Sequence, residues 1–542
     1  MVRTPPRGVT VIIRLVLAAL LAAVALTPSA GAQAPWWEPV NRPAPDSEIN
    51  VSGEPFRGTD SQGKVRGFVD AHNHLMTNEA FGGRLICGKP FSEQGVADAL
   101  KDCPEHHPFG LGAIFEAIVA DPDGHDPVGW PTLKDWPSYK TVSHQQNYYA
   151  WVERAWRGGQ RVLVADLTSN AALCSIYPFK DRGCDEMDSV RLQARRTYEL
   201  QDYVDRMFGG AGKGWFRIVT TPQQARNVVA QGKLAVVLGI ETSEIFGCRQ
   251  VLNFPACTKG DIDRGLDEVY ALGVRSVFPC HKYDNALCGV RFDSGTSGAV
   301  VNAAQFLRTG TWWTTEKCTG PQQDNPIGLA APNALIPAGV VAPAYDPAKR
   351  CNTRGLTALG EYAVRGMMQR HMMIEIDHMS VKAAGRTLDI ATQARYPGVL
   401  SSHSWMDPKW TERVYQLGGF VASYEMDSPA FVEQTAATSA LRRQYNVGLG
   451  FGTDYNGVGS HPSPRGGVTY PFRSFPDGPL VDRQRTGQRV WDINTDGGAH
   501  VGLVPDWIEE VRKLGGDQVV NDLLAGAESY LGTWAGAQRW PS

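Results

Sequence analysis

Eight short apolar runs, each ending in polar residues, constrain this chain more than any other feature. They read GFVDAHNH (67–74), RVLVADL (161–167), LAVVLGIE (234–241), VRSVFPCH (274–281), MMIEIDH (372–378), VLSSHS (399–404), GFVASYE (419–425) and VGLGFGTD (447–454). The runs are near-continuous rather than alternating, which is the habit of parallel strands buried on both faces. Helical periods lie between several of them, as in TPQQARNVVAQG (221–232), DIDRGLDEVYALG (261–273) and TALGEYAVRGMMQRH (357–371). Strand–helix alternation gives a parallel sheet with right-handed crossovers. Eight such units predict an α/β fold, a closed (β/α)8 TIM-like barrel. The rival, an open doubly wound sheet, lacks its Gly-rich phosphate loop after the first strand.

A chain of 542 residues would suit three or four average domains, but a barrel with long insertions accounts for the length equally well. The run spacing favours a single barrel domain over residues 66–542, after an extended lead-in at 33–65. Insertions are expected at about 75–160, 168–233 and 282–356. They carry Gly, Pro, Asp and Trp and little helical period. Each follows a strand, so each belongs to the C-terminal face, where barrel enzymes place their active sites.

Residues 1–32 read as a signal peptide. Arg3, Arg7 and Arg14 precede or flank the apolar run Leu15 to Leu26, and Ala30-Gly31-Ala32 is a small-residue cleavage site. The apolar run is too short to span a bilayer. Cleavage after Ala32 would remove three positive charges and take the formal charge from −3 to −6. No later stretch is apolar enough for a transmembrane span in the mature chain, so a secreted, extracellular protein is expected. Without a basic excess, nucleic acid is an unsuitable partner.

An exported chain meets an oxidising milieu, where cysteines pair. The simplest pairing of the ten joins sequence neighbours: Cys87–Cys103, Cys174–Cys184, Cys248–Cys257, Cys280–Cys288 and Cys318–Cys351. All lie at or after strand ends, so the bridges would staple the long βα loops. No CxxC is present, which makes thiolate–zinc binding the poorer reading.

The strand ends carry the chemistry. In a strand, residues i and i+2 point to one face, so His72 and His74 can clasp one metal ion. HxH alone is a weak signal. Glu241 ends the third run, His281 the fourth, His378 the fifth, His403 the sixth and Asp454 the eighth. A parallel barrel brings all these ends to one mouth. Imidazoles and carboxylates converging there suit Zn²⁺ or a similar first-row ion.

HxH on the first strand, later histidines and an Asp on the eighth resemble the amidohydrolase superfamily. The stretches DAHNHL (70–75), GIETSE (239–244), GLTALGEYAVRGM (355–367), IEIDHMSV (374–381), SSHS (401–404) and VGLGFGTDYNGV (447–458) are most similar to its membrane dipeptidase family, the renal dipeptidase-like peptidases M19. The resemblance implies a zinc-dependent hydrolase with a binuclear site, cleaving an amide in a dipeptide or similar small acylated amine. Glu241 would bridge two Zn²⁺ ions, with His72 and His74 on one ion and His378 and His403 on the other. Asp454 would lie at the metals as general base and acid for a bridging hydroxide, and His281 would bind and polarise the substrate. Such a set supplies the nucleophile, proton shuttle and oxyanion partner that amide hydrolysis needs.

The chain departs from the family at three places. The first strand has His-x-His, where the dipeptidases have His-x-Asp. Thr242 stands where they usually have Gly. Their carboxylate-binding Arg-Asn pair is missing after the sixth-strand histidine, leaving Lys409 or Arg413 as substitutes. A lactonase or phosphotriesterase is a rival, but relatives of that type use a carboxylated lysine on strand four, where only Lys282 is near. A non-catalytic ligand-binding barrel using Trp130, Trp136, Trp312 and Trp313 is another; the retained Asp454 argues against it. His106 and His107 read as surface residues. His144, His371 and His461 have no assigned role, and His500 reads as lying off the mouth. Asp166 and Asp284 are candidates for orienting ligating histidines or for plain loop capping.

Overall fold

The computed structural model describes residues 1, 35–107, 110–327, 340–475 and 478–541. The expected signal peptide lies almost wholly outside the described residues. All eight apolar runs form strands: β1 (Phe68–Asn73), β2 (Gln160–Ser169), β3 (Leu234–Thr242), β4 (Val274–Val277), β5 (Met373–Glu375), β6 (Val399–Ser401), β7 (Phe420–Tyr424) and β8 (Gly450–Gly452). Each pairs in parallel with the next, and β8 returns to β1 through Phe451 and Asp70. The sheet is therefore a closed eight-stranded barrel. Closure leaves the barrel strands no open edges and delivers all C-terminal ends to one rim.

Helices α1 (Tyr149–Arg157), α2 (Glu186–Met207), α3 (Pro222–Ala230), α4 (Lys259–Ala271), α5 (Gly295–Thr309), α6 (Ala358–Gln369), α7 (Val381–Ala394), α8 (Thr411–Gln416), α9 (Ser428–Tyr445), α10 (Val504–Gly515), α11 (Asp517–Leu524) and α12 (Gly526–Arg539) follow in chain order. Local chemistry starts several of them. Thr221, Thr357 and Ser380 each accept a hydrogen bond from a first-turn N–H, and Thr258 forms a capping box with Asp261.

On β2 and β3, residues 162, 164, 166 and 168, and 235, 237, 239 and 241, share one face. Val162, Val164, Ala235 and Val237 belong to a hydrophobic cluster with Val69, Met373, Leu400, Phe420 and Ala422. Tyr530, Leu531 and Trp534 of α12 join it. Gly67, just before β1, bonds through its backbone to Leu524 and Ala527, which sets α12 at the end opposite the rim. Glu241 continues the same inner face to the rim. Apolar filling below and charged residues above thus follow from one strand alternation.

Three features depart from the expectations. The second insertion is not aperiodic, because it holds the 22-residue helix α2. Its apolar period was diluted by charged residues on the outer face. The extended lead-in also makes contacts that the sequence did not specify: Val51–Ser52 pairs antiparallel with Leu480–Val481, and Arg157 holds Glu38. Finally, substantial extra structure follows β8, including short strand pairs between Phe472 and Trp491. All five disulfides join the expected neighbours. Among the described residues no helix is long and apolar enough to cross a membrane.

Candidate metal centre

His72 and His74 leave the end of β1 with their Nε2 atoms 3.1 Å apart. Glu241, near the end of β3, stands between two groups of rings. Its Oε2 is 3.6 Å from His72 Nε2, 3.3 Å from His74 Nε2 and 3.5 Å from His281 Nε2. Its Oε1 is 3.1 Å from His378 Nε2 and 3.7 Å from His403 Nε2. Asp454 places Oδ1 3.0 Å from His74 Nε2 and 3.6 Å from His72 Nε2. All seven residues come from the ends of β1, β3, β4, β5, β6 and β8, and the structure gathers them at the rim. Lys409 and Arg413 are not brought there. Lys409 donates to the Pro321 carbonyl, and Arg413 pairs with Asp389 and lies over Trp410. They sit on the turn and short helix after β6, which lead away from the mouth.

The neighbours of the rings fix where their protons sit. His74 Nδ1 is 2.9 Å from the Asp166 carbonyl, which can only accept. His403 Nδ1 is 2.7 Å from Asp377 Oδ2. His72 Nδ1 faces Asp166 Oδ2 at 3.2 Å and Ser402 Oγ at 3.1 Å. Without an ion, the neighbouring carboxylates raise His74 and His403 toward the charged form; as neutral rings with the proton on Nδ1, they would turn Nε2 lone pairs toward one another and toward the Glu241 carboxylate. His378 and His403 also bring their Nε2 atoms to 2.9 Å. Lone pairs at such separations repel unless protons or cations stand between them. Glu241 Oε1 is moreover buried without a hydrogen-bond donor. This donor set fits divalent metal ions, with the carboxylates and carbonyl behind the rings orienting them.

Two of these positions carry unusual backbone. His378 has φ 62° and Asp454 φ 55°, in the left-handed region that non-glycine residues rarely occupy. The turn aims each side chain into the mouth instead of continuing the strand alternation. Asp377, buried beside His378, accepts from His403 through Oδ2 and from Ser401 Oγ and the Met406 N–H through Oδ1. Sequence reasoning passed over Asp377, although it stands next to His378 in IEIDH. Asp166 does face His72, whereas Asp284 binds the Val290 N–H and Asn352 and so caps a loop.

Burial works against charge here, and the neighbours override it in selected groups. Burial alone would raise Glu241, but the charge and hydrogen bonds of the surrounding histidines hold it well below the usual carboxylate range. Asp454 behaves likewise: burial raises it, and the His74 hydrogen bond and charge bring it to about 2. Burial pushes His281 down to about 3, leaving a neutral ring. Lys282 is a cation at the mouth. Its Nζ pairs with Asp293 at 3.0 Å and lies 5.1 Å from the Trp405 ring centre. Trp405 in turn stacks on His378. Neither Lys282 nor Trp405 carried a motif that could have placed it at the mouth.

Other expectations are corrected. His106 is buried, not superficial, because the first insertion folds over it; its ring lies edge-on to His144 at 4.9 Å. His500, read as lying off the mouth, stacks on Trp151. Trp136 and Trp313 are fully buried, which removes them as exposed ligand platforms.

A closed (β/α)8 barrel with a His/Glu/Asp cluster at its C-terminal rim defines the architectural class. No protein-family model and no curated protein matches the chain. Among solved structures it is similar to an amidohydrolase from Pseudomonas aeruginosa, at 14% identity over 71% of this chain and 91% of that one, with a TM-score of 0.39. It is also similar to a dipeptidase of peptidase family M19, at 14% identity over 79% and 94%, TM-score 0.39. A third is a metallopeptidase from Rhodobacter sphaeroides liganded with a phosphinate mimic of L-Ala-D-Ala, at 12% identity over 88% and 99%, TM-score 0.42.

Proposed function

We propose that this chain is a secreted, metal-dependent hydrolase of the amidohydrolase superfamily, M19-like, that cleaves the amide bond of a dipeptide or similar small acylated amine. One observation carries the reading: the two oxygens of Glu241 divide the histidines, with His72, His74 and His281 nearest Oε2 and His378 and His403 nearest Oε1. That division suits a carboxylate shared by two Zn²⁺ ions, with Asp454 on the His72–His74 side. Bound there, the ions would supply Lewis acidity and a water activated at neutral pH.

The protein's own groups supply the rest. Asp454 is ionised and, at 17% side-chain exposure, the most open of the cluster carboxylates. Its Oδ2 faces the Tyr424 hydroxyl at 3.5 Å. It can accept a proton on the mouth side and return it to the leaving amine. His281, neutral at the end of β4, can donate an N–H to the substrate carbonyl oxygen as negative charge develops there. Lys282, not Lys409 or Arg413, provides the positive charge that would attract the substrate carboxylate, and Trp405 offers an apolar wall beside it. The five disulfides suit an oxidising, extracellular setting.

The test combines metal content after gentle purification with a dipeptide panel. The expected result is two metal equivalents that Glu241→Gln abolishes, together with dipeptide cleavage. Purified protein without those two equivalents would overturn the metal centre. Full occupancy with turnover of lactones and none of dipeptides would overturn the substrate class alone.

A further inference from the structure

A second cluster of metal-ligating side chains lies in the first insertion, built from none of the barrel strands. Glu116, on the short helix Ile114–Val119, His125 and His144 are all buried, and one ligand atom from each lies within 4.8 Å of the others. His125 turns Nδ1 to two carboxylates, Asp121 Oδ2 at 3.0 Å and Glu116 Oε1 at 3.2 Å. That ring nitrogen therefore carries a proton. In the neutral ring, Nε2 is then a lone pair, and it stands 2.7 Å from His144 Nε2. This is the arrangement in which a carboxylate behind an imidazole fixes the tautomer and presents the opposite nitrogen to a metal.

Hydrogen bonding within the cluster leaves it incomplete. His144 is 0% exposed, and its Nδ1 has no partner. Glu116 accepts from the Ser143 N–H and hydroxyl, but no lysine or arginine pairs with Glu116 or Asp121 among the described residues. The two buried carboxylates thus face imidazoles and the Ser143 donors, with no basic side chain among the described residues to compensate their charge. A cavity of about 170 Å³ opens beside them, lined by His106, Glu116, Asp121 and His125 among others. It leaves room for an entering ion and a water ligand.

We propose that Glu116, His125 and His144 bind one divalent first-row cation, with Zn²⁺ the best match to two imidazoles and a carboxylate. The site is structural. It ties the helix and turn of the insertion to the segment that walls the mouth. Asn456, two residues after Asp454, donates to the His144 carbonyl at 2.8 Å and accepts from the Gln146 N–H at 2.9 Å. The Cys87–Cys103 bridge holds the same segment from outside, through backbone bonds between Cys87 and residues 143 and 145.

The test is metal counting on the full chain by mass spectrometry. Glu241→Gln should keep one equivalent, and that one should be lost from a Glu241→Gln, His125→Ala, His144→Ala triple variant. In the otherwise wild-type background, His125→Ala with His144→Ala should lose one equivalent and become more sensitive to limited proteolysis between residues 104 and 147. Should those variants fail to fold, Co²⁺ titration of chelator-treated Glu241→Gln protein decides: an absorption band typical of tetrahedral N/O ligation supports the site. No retained equivalent in Glu241→Gln and no such band would overturn it, leaving a hydrogen-bonded histidine network.

Discussion

The barrel mouth and the first insertion both gather buried histidines and carboxylates, but by opposite means. At the mouth, residues as distant as His72 and Asp454 meet because a closed parallel barrel must bring its strand ends together. In the insertion, Glu116, Asp121, His125 and His144 are near neighbours in sequence, and loop backbone and a disulfide assemble them. The first cluster inherits rigidity from the sheet. The second depends on its own contacts and on any ion it holds. A sheet-built site should thus tolerate loss of one supporting group better than a loop-built one.

The largest effect expected is at the mouth. Glu241→Gln removes the carboxylate shared by both groups of rings, so amide hydrolysis should fall to background, with mouth metal lost in the same sample. Asp454→Asn should keep most of the metal while lowering kcat by ~10²–10⁴-fold, the usual range for a proton-transfer group. If kcat were unchanged, the proton shuttle lies elsewhere. Asp377→Asn weakens the partner behind His403 and should lower metal affinity by about 10–100-fold. Competition with a chelating dye would measure this, and an unchanged affinity would mean the barrel alone orients the ring.

The next prediction probes the insertion. Replacing Cys87 and Cys103 with serine opens a loop of 16 residues. The expected loss is about 3 kcal/mol of stability, read by denaturant unfolding. Proteolysis should concentrate in the insertion while the mouth keeps its metal. Equal damage at both places would show that the two regions unfold together and would erase the contrast. The smallest effect is expected from Arg413→Ala. Its ion pair with Asp389 is partly exposed, with side chains 29% and 48% accessible. Removing it should cost no more than ~1 kcal/mol and leave KM unchanged. A raised KM would instead return Arg413 to the substrate site.

The two clusters also differ in how far the sequence revealed them. His72, His74, Glu241, His281, His378, His403 and Asp454 could be picked out because each ends an apolar run, and the run count implied closure. His106 reads as a surface residue and His144 has no assigned role, because a loop has no period that says which side chains turn inward. Asp377 stood beside a ligand but looked like any strand-end carboxylate until His403 arrived from the next strand. Lys282 and Trp405 belong to the mouth only because α/β closure folds the segments after β4 and β6 toward each other.

The barrel, the order of its strands, the neighbour pairing of the cysteines and the residues at the strand ends are all legible in the chain. These depend on local pattern: apolar runs of strand length, their flanking polar residues, and short spacings between cysteines. The folded structure alone shows which oxygen of Glu241 faces which rings, which carboxylate stands behind each histidine, and that a second cluster closes inside the insertion. Those are matters of distances between residues far apart in the chain or held in aperiodic loops. They follow from how the closed sheet and the packed loops exclude water, which no local pattern records.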